Sequence, residues 1–291
     1  MSKSQKAYKS LADFVMNGIN TAASIAKVMI MSKSVQKLPV PVGDRCLVLG
    51  NGPSLNDSLE KYPEYFASHT LMCVNRFAVS HHYTTFKPAL YVIIDPNFWT
   101  SQKGIITEAL DAIREKTTWP VDLIVPFNAR NTPMMAELEK HPFLKVRYIN
   151  YVVFKGYPSI AHFFYRKNLA MMQSRNVLIA AVFMAINIGY KRLELFGADH
   201  SWHEQVHVND DNIVMVRMVH FYDNEEMVTY VPFGKGLDVK ETHRMDETLD
   251  VWARVFRGYH LLKDYATSVG CKIYNASEKS YVDAFDRIKI K

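Results

Sequence analysis

The sequence predicts an α/β fold: a doubly wound, mostly parallel sheet with an inserted lid and an N-terminal amphipathic helix. Three observations carry that reading. Short apolar runs recur along the chain and end at Asn, Asp or Gly, as strands buried on both faces do. Helical-period segments separate some of them. A Gly-rich turn follows the first run directly, where an open α/β sheet passes from strand to helix. The 291 residues, 48% hydrophobic and 22% charged, suffice for one large α/β domain or two small ones. Twelve Gly and twelve Pro exclude a collagen-like or low-complexity chain. The expected organisation is an arm at 1–40 and a domain at 44–291 with a lid at about 200–246.

In the arm, Tyr8, Leu11, Val15, Ile19, Ala22, Ala26 and Met29 recur every three or four residues, the stripe of an amphipathic helix. The longest uncharged run, Phe14 to Ala26, has 13 residues, too short to cross a bilayer. The arm ends in Lys33, Lys37 and Pro39 rather than at a small-residue cleavage site, so it is not laid out as a secretory leader. Such a helix suits its own domain, a second subunit in a homo-oligomer, or an anionic membrane surface touched through residues 1–37. Leu38-Pro-Val-Pro-Val-Gly43 reads as an extended linker, since each Pro blocks helix.

Cys46–Leu49 is the first buried-strand candidate, and it feeds Gly50-Asn51-Gly52-Pro53-Ser54. Glycines here permit a sharp turn and a close ligand approach. Pro53 or Ser54 suits a helix N-terminus, where free N–H groups favour an anion. The third Gly of a dinucleotide-type turn is replaced by Leu55. Further runs end at Asn75-Arg76, at Asp95 and Asn97, near Asn128, at Gly197 and Asp199, and at Asn275 and Ser277. Strand carboxyl ends line the crevice of open α/β sheets. Neutral amides there suit hydrogen bonding to a base, ribose or sugar. Each one alone is equally a loop cap, but their shared position argues for a common crevice.

Asn176 to Ile188 is almost wholly apolar and stops at Gly189, a buried helix with a glycine C-cap. Glu247 to Val269 is a second periodic helix, ended by Gly270. Residues 200–246 between them are rich in His, Asp and Met and irregular, which reads as a lid or acceptor-site insertion. The net charge of +6 belongs mostly to the arm, which holds six Lys against Asp13, leaving the body at +1. A body this neutral does not suit a general nucleic-acid binder. Cys46, Cys73 and Cys271 form no C-x-x-C pair, which fits a reducing, cytoplasmic compartment.

Strand–Gly-Asn-Gly-Pro-Ser-Leu, then Cys-Val-Asn-Arg, then Ile-Asp-Pro-Asn, then an apolar helix ending Ile-Gly-Tyr-Lys-Arg, then a strand ending Phe-Gly-Ala-Asp resembles the bacterial sialyltransferases of the Campylobacter type. The same pattern is similar to the wider group sharing their Rossmann-like nucleotide-binding half, which includes motility-accessory glycosyltransferases and archaeal pterin pyrophosphokinases. The resemblance covers roughly residues 44–100 and 174–200, with a weaker echo at 243–285. It implies sugar transfer from a nucleotide-activated donor, CMP-linked and carrying sialic acid or a related acidic sugar, to a cell-surface glycan. The implied mechanism is direct displacement with inversion, with no required cofactor or metal. It places donor contacts at Asn51, Asn75 and Asn97, and a carboxylate-recognising turn at Ser174-Arg175-Asn176. The family has Tyr residues after the strand-end Asp, where this chain has His200-Ser201-Trp202. This implies a different donor or phosphate stabilisation by His200. The family's general base is a lid His before the next helix, which points to His243, with His200 second. Such an enzyme would work on lipid-linked glycan beside the inner membrane.

Rival chemistries are present. His203-Glu204-Gln-Val-His207 matches H-E-x-x-H, which on a helix puts two zinc ligands on one face. Asp199 and His200 could join His203 and His207 in a non-proteolytic metal site. A pyrophosphokinase-like enzyme would bind ATP and magnesium through Asp95 and Asp199. A non-catalytic interaction module would keep the fold alone.

Overall fold

The computed structural model describes residues 3–236 and 239–290, with backbone only for 3–10. Met1 and Ser2 of the expected arm, Leu237 and Asp238 of the expected lid, and Lys291 lie outside the described residues, as do the side chains of Tyr8, Lys3, Lys6 and Lys9.

The strands in chain order are β1 (Arg45–Leu49), β2 (Thr70–Val74), β3 (Leu90–Val92), β4 (Val121–Pro126), β5 (Leu144–Ile149), β6 (Arg192–Phe196), β7 (Val206–Val208), β8 (Val214–Val216), β9 (Val231–Pro232), β10 (Lys272–Asn275) and β11 (Asp286–Arg287). The helices are α1 (Lys3–Met31), α2 (Ser54–Lys61), α3 (Pro63–Ala67), α4 (His82–Phe86), α5 (Asn97–Thr100), α6 (Gly104–Lys116), α7 (Pro133–Leu138), α8 (Pro158–Arg166), α9 (Val177–Ile188) and α10 (Met245–Ser268). Eight strands form one parallel sheet in the order β11-β10-β6-β1-β2-β3-β4-β5. The chain walks from β1 outward to β5, then returns to place β6 on the other side of β1. That reversal sets the switch point of a doubly wound sheet between β1 and β6.

Period-2 burial explains the two layers. Cys46 and Val48 face a core built with α9 and α10, whereas Leu47 and Leu49 face a core built with α2, α3 and α6. Helix α9 is buried along nearly its whole length, is capped by Asn176 accepting from Ile179 N–H, and ends at Gly189 with φ 114°. The predicted strands and both predicted helices are present. Strand β5 lies outside the apolar runs of the sequence, because Lys145 and Arg147 break Leu144–Ile149 into an alternating pattern rather than a continuous apolar one. It is the sheet's edge, where charged residues are expected. Its edge is covered by the segment after α1, where Gln36 accepts from Tyr148 N–H and Asn150 bonds Lys33. The 200–246 insertion, read as irregular, contains the antiparallel sheet β7-β8-β9. The cysteines are free and buried.

The arm is helical, and it docks by a face the stripe did not indicate. Thr21, Ser24 and Val28 are buried, while Leu11, Val15, Ile19 and Met29 are exposed. The Thr21 hydroxyl accepts the Tyr157 N–H, and the Ser24 hydroxyl bonds both backbone groups of Lys155. These bonds satisfy loop backbone that would otherwise lack partners. Leu11–Met31 is also long and apolar enough, at 21 residues, to cross a membrane by length and composition. The 13-residue count understated this because it stopped at Lys27.

Candidate functional site

A cleft of about 970 Å³ opens at the carboxyl ends of β1, β2, β3 and β6. Its floor is two interlocked loops. Gly50 N–H donates to Phe196 O, and Gly52 N–H donates to Gly197 O. A Cβ on Gly50 would lie 2.4 Å from Gly197 O, and one on Gly52 would lie 2.5 Å from Asp199 Oδ1. The glycines therefore serve the approach of one strand-end loop to the other. Asp199 accepts from Ser54 N–H at 2.9 Å and from the Ser54 hydroxyl at 2.6 Å. Burial pushes this carboxyl up, against the pull of those two bonds. The first free N–H of α2 is thus taken by the protein's own carboxylate rather than left for a phosphate.

Asn51 and Asn75 lie on the cleft wall with Arg76 and Asp95. The Asn51 amide donates to Val74 O, and Asn75 adopts a left-handed φ of 49°. Three buried polar atoms on these residues have no hydrogen-bond partner among the described residues: Asn51 Oδ1, Asn75 Oδ1 and Arg76 Nε. Arg76 lies over the Tyr222 ring and pairs through Nη2 with Glu108. Asp95 accepts from Asn97 N–H and from its side-chain amide. Gly50, Gly52, Pro53, Ser54, Asn176, Gly197, Asp199, His200 and Ser201 also line the cleft.

Asn97, Arg175, Asn275, Ser277 and His243 do not line it. Asn275 is fully buried, donates to Ser280 Oγ and Val282 O, and accepts from Ser277 N–H. Ser277 Oγ accepts from Ala198 N–H. Both fasten the loops beyond β6 and β10, as loop caps do. Arg175 is exposed. Asn128, beyond β4, also lies away from the cleft, because the crevice follows the switch point rather than the whole sheet edge.

The insertion forms the opposite wall. Phe221 N–H donates to Asn51 O, and the Phe221 ring packs on Phe77. This anchors Arg217–Asp223 over the cleft. Within it, His220 Nδ1 lies 3.1 Å from Asp223 Oδ2, and the imidazole stacks on Tyr222. Burial opposes ionisation of Asp223, but its bonds from His220 outweigh that and hold the carboxyl below its usual range. A proton on Nδ1, the nitrogen facing Asp223, would leave Nε2 with the free lone pair. The sequence reading missed this pair. Its signal was a His three residues before an Asp inside the insertion.

His200 is held differently. Its Nε2 lies 2.6 Å from Tyr259 Oη and 3.2 Å from the Asn176 amide, and its ring stacks on Trp202. Burial pushes the imidazole down to about 3. Between about pH 6.5 and about pH 3 the unfolded chain takes up a proton that the folded chain does not. Stability is therefore expected to fall on acidification, by up to ~1.4 kcal/mol per pH unit. The change H200N, which tolerates the local φ of 52°, should flatten that slope in urea-unfolding midpoints. An unchanged slope would assign the acid loss to other groups.

A row of rings leads from His243 to the cleft: Phe233, Trp252, then Trp202 beside His200. Its buried Nδ1 has no hydrogen-bond partner among the described residues and lies 4.0 Å from Glu247. The H-E-x-x-H reading loses its geometry. Trp202–Gln205 is a 3-10 turn and His207 lies on β7, so the two His do not share a helix face. Glu204 pairs with Lys279 and Tyr281. Among the described residues no three His, Cys, Asp or Glu side chains gather as a metal site.

No protein-family model matches the chain, and no curated protein does. Among solved structures it is similar to that of the MAf glycosyltransferase from Magnetospirillum magneticum AMB-1, with 13% identity and a TM-score of 0.52. The likeness covers 92% of this chain and 38% of that one, so this chain spans well under half of that protein's length. The fold is shared across nearly the whole chain, from the parallel sheet through its flanking helices.

Proposed function

We propose that the cleft binds a nucleotide-activated sugar and transfers its glycosyl group to a glycan acceptor. The observation that carries this is the trio of buried polar atoms on Asn51, Asn75 and Arg76, unpartnered among the described residues, at the carboxyl ends of β1 and β2 beside the sheet's switch point. Such an atom costs ~1–3 kcal/mol when it stays unmet, so the wall is built for a polar ligand. Amide oxygens accept, which suits ribose hydroxyls and the cytosine amino group. Arg76 Nε donates, which suits a phosphate. The shared fold with a MAf glycosyltransferase supports the same class of chemistry. The donor we propose is CMP-linked and carries an acidic sugar such as sialic acid.

The base we propose is His220, in place of His243 or His200. The acceptor hydroxyl gives its proton to His220 Nε2 as its oxygen bonds the anomeric carbon. The bond from that carbon to the phosphate oxygen breaks on the opposite face, and the nucleotide leaves with the electron pair. Inversion follows from this single displacement.

A thermal-shift panel of CMP, UDP, GDP and ATP with magnesium tests the donor. CMP at ~100 Kd should raise the midpoint by roughly 5 °C. Asn51→Ala should weaken CMP by about three- to tenfold. Stabilisation by ATP with magnesium alone would transfer the site to phosphoryl chemistry, and no shift by any nucleotide would overturn the reading.

A further inference from the structure

The exposed face of α1 has no role in the cleft. Leu11, Phe14, Val15, Ile19, Met29 and Ile30 are each half or more exposed. The opposite face is fastened to the domain by Thr21, Ser24 and Val28, and just beyond the helix by Ser32 Oγ on Leu169 O and Lys33 N–H on Asn150. The apolar face therefore cannot turn inward without breaking those contacts. Exposed Lys27, Lys33 and Lys37 accompany it, and Asp13 is the single acidic residue before Asp44. At 3.6 residues per turn Lys27 falls at the margin of the apolar face, where its stem can run along lipid while the ammonium reaches headgroups.

We propose that α1 lies flat on an anionic bilayer, with this apolar face at the acyl boundary and the lysines among the headgroups. This rests on the arm and not on the chemistry of the cleft. Pairing of two copies through the same face would set both lysine sets together with one Asp13 on each side, and like charges oppose that. A spanning pose would release Thr21 and Ser24 from the 155–157 loop and carry Lys27 into the hydrocarbon.

Co-sedimentation of the full chain with vesicles of phosphatidylcholine alone, or mixed with phosphatidylglycerol, tests the proposal. The chain should pellet with the mixed vesicles and be largely released at ~1 M salt, where the Debye length is ~3 Å. The variant L11E/V15E/I19E should bind about 100-fold more weakly with its thermal midpoint retained. If that variant loses its thermal transition, L11S/V15S/I19S replaces it. The variant K27E/K33E/K37E should lose the preference for anionic vesicles. Equal pelleting of the apolar variant, equal binding to neutral vesicles, or retention of the chain at high salt would each overturn the proposal. So would a concentration-dependent dimer, abolished by L11E/V15E/I19E, in a chain that ignores vesicles.

Discussion

Replacing Gly50 with alanine is expected to destabilise the fold by about 3 kcal/mol and to abolish nucleotide binding at the same time. The added Cβ would sit 2.4 Å from Gly197 O and 3.2 Å from Leu178 Cδ2. Gly197 follows β6 directly, and Gly50 follows β1, its hydrogen-bonded neighbour in the sheet. Neither backbone can retreat without shortening a central pairing. The floor of the cleft is made by this same contact, through Gly50 N–H on Phe196 O. Stability and ligand affinity should therefore fall together, as urea midpoints and nucleotide titration will read. Gly52→Ala is expected to act in the same direction, because its Cβ would lie 2.5 Å from Asp199 Oδ1 and 2.7 Å from Gly197 O, a backbone atom. It would also displace the Ser54–Asp199 pair that shapes the turn. An unchanged midpoint in Gly50→Ala would show that the two loops part freely and that the floor is not rigid.

The second large effect concerns catalysis. His220→Gln is expected to lower turnover by ~10²–10⁴-fold and to leave nucleotide affinity unchanged. His220 lines the cleft and holds Asp223 at 3.1 Å, so it combines access with an orienting carboxylate. His200 cannot take that role, since burial keeps it neutral down to about pH 3 and its Nε2 already faces Tyr259 and Asn176. His243 stands behind Phe233 and Trp252. Asp223→Asn should give an intermediate loss, because the ring stays on Tyr222 but its tautomer is no longer set. The low Asp223 carboxyl keeps the pair charged at Asp223 through mild acid. Its contribution is present above the carboxyl's ordinary range and disappears only as pH falls through its lowered value. Full turnover in His220→Gln, with His243→Ala inactive, would restore His243 as the base and require the insertion to move.

Several residues were legible as strand ends but not as partners. Asn51, Asn75, Asp95 and Asp199 reach one cleft, whereas Asn275 bonds its own loop and Asn128 follows a strand remote from the switch point. A strand-end amide looks alike in both settings, because a cap and a ligand contact use the same donor and acceptor groups. His220 was overlooked because it lies in a stretch without periodicity, where only the anchoring of Phe221 on Asn51 and Phe77 brings it to the cleft. The H-E-x-x-H match misled for the opposite reason. Its spacing has meaning only on a helix, and here the chain bends through a 3-10 turn into a strand.

The buried strands, the apolar α9, the glycine turn after β1 and the amphipathic nature of the arm are all readable in the order of residues. These follow from periodicity and local backbone preference, which act over a few residues. Which strand ends meet, which histidines stand at the crevice and which face of α1 is left outside are settled in the folded chain. Those depend on the return of the chain from β5 to β6 and on pairings across more than a hundred residues, such as Ser24 with Lys155 and Ser54 with Asp199. No local pattern encodes contacts of that range.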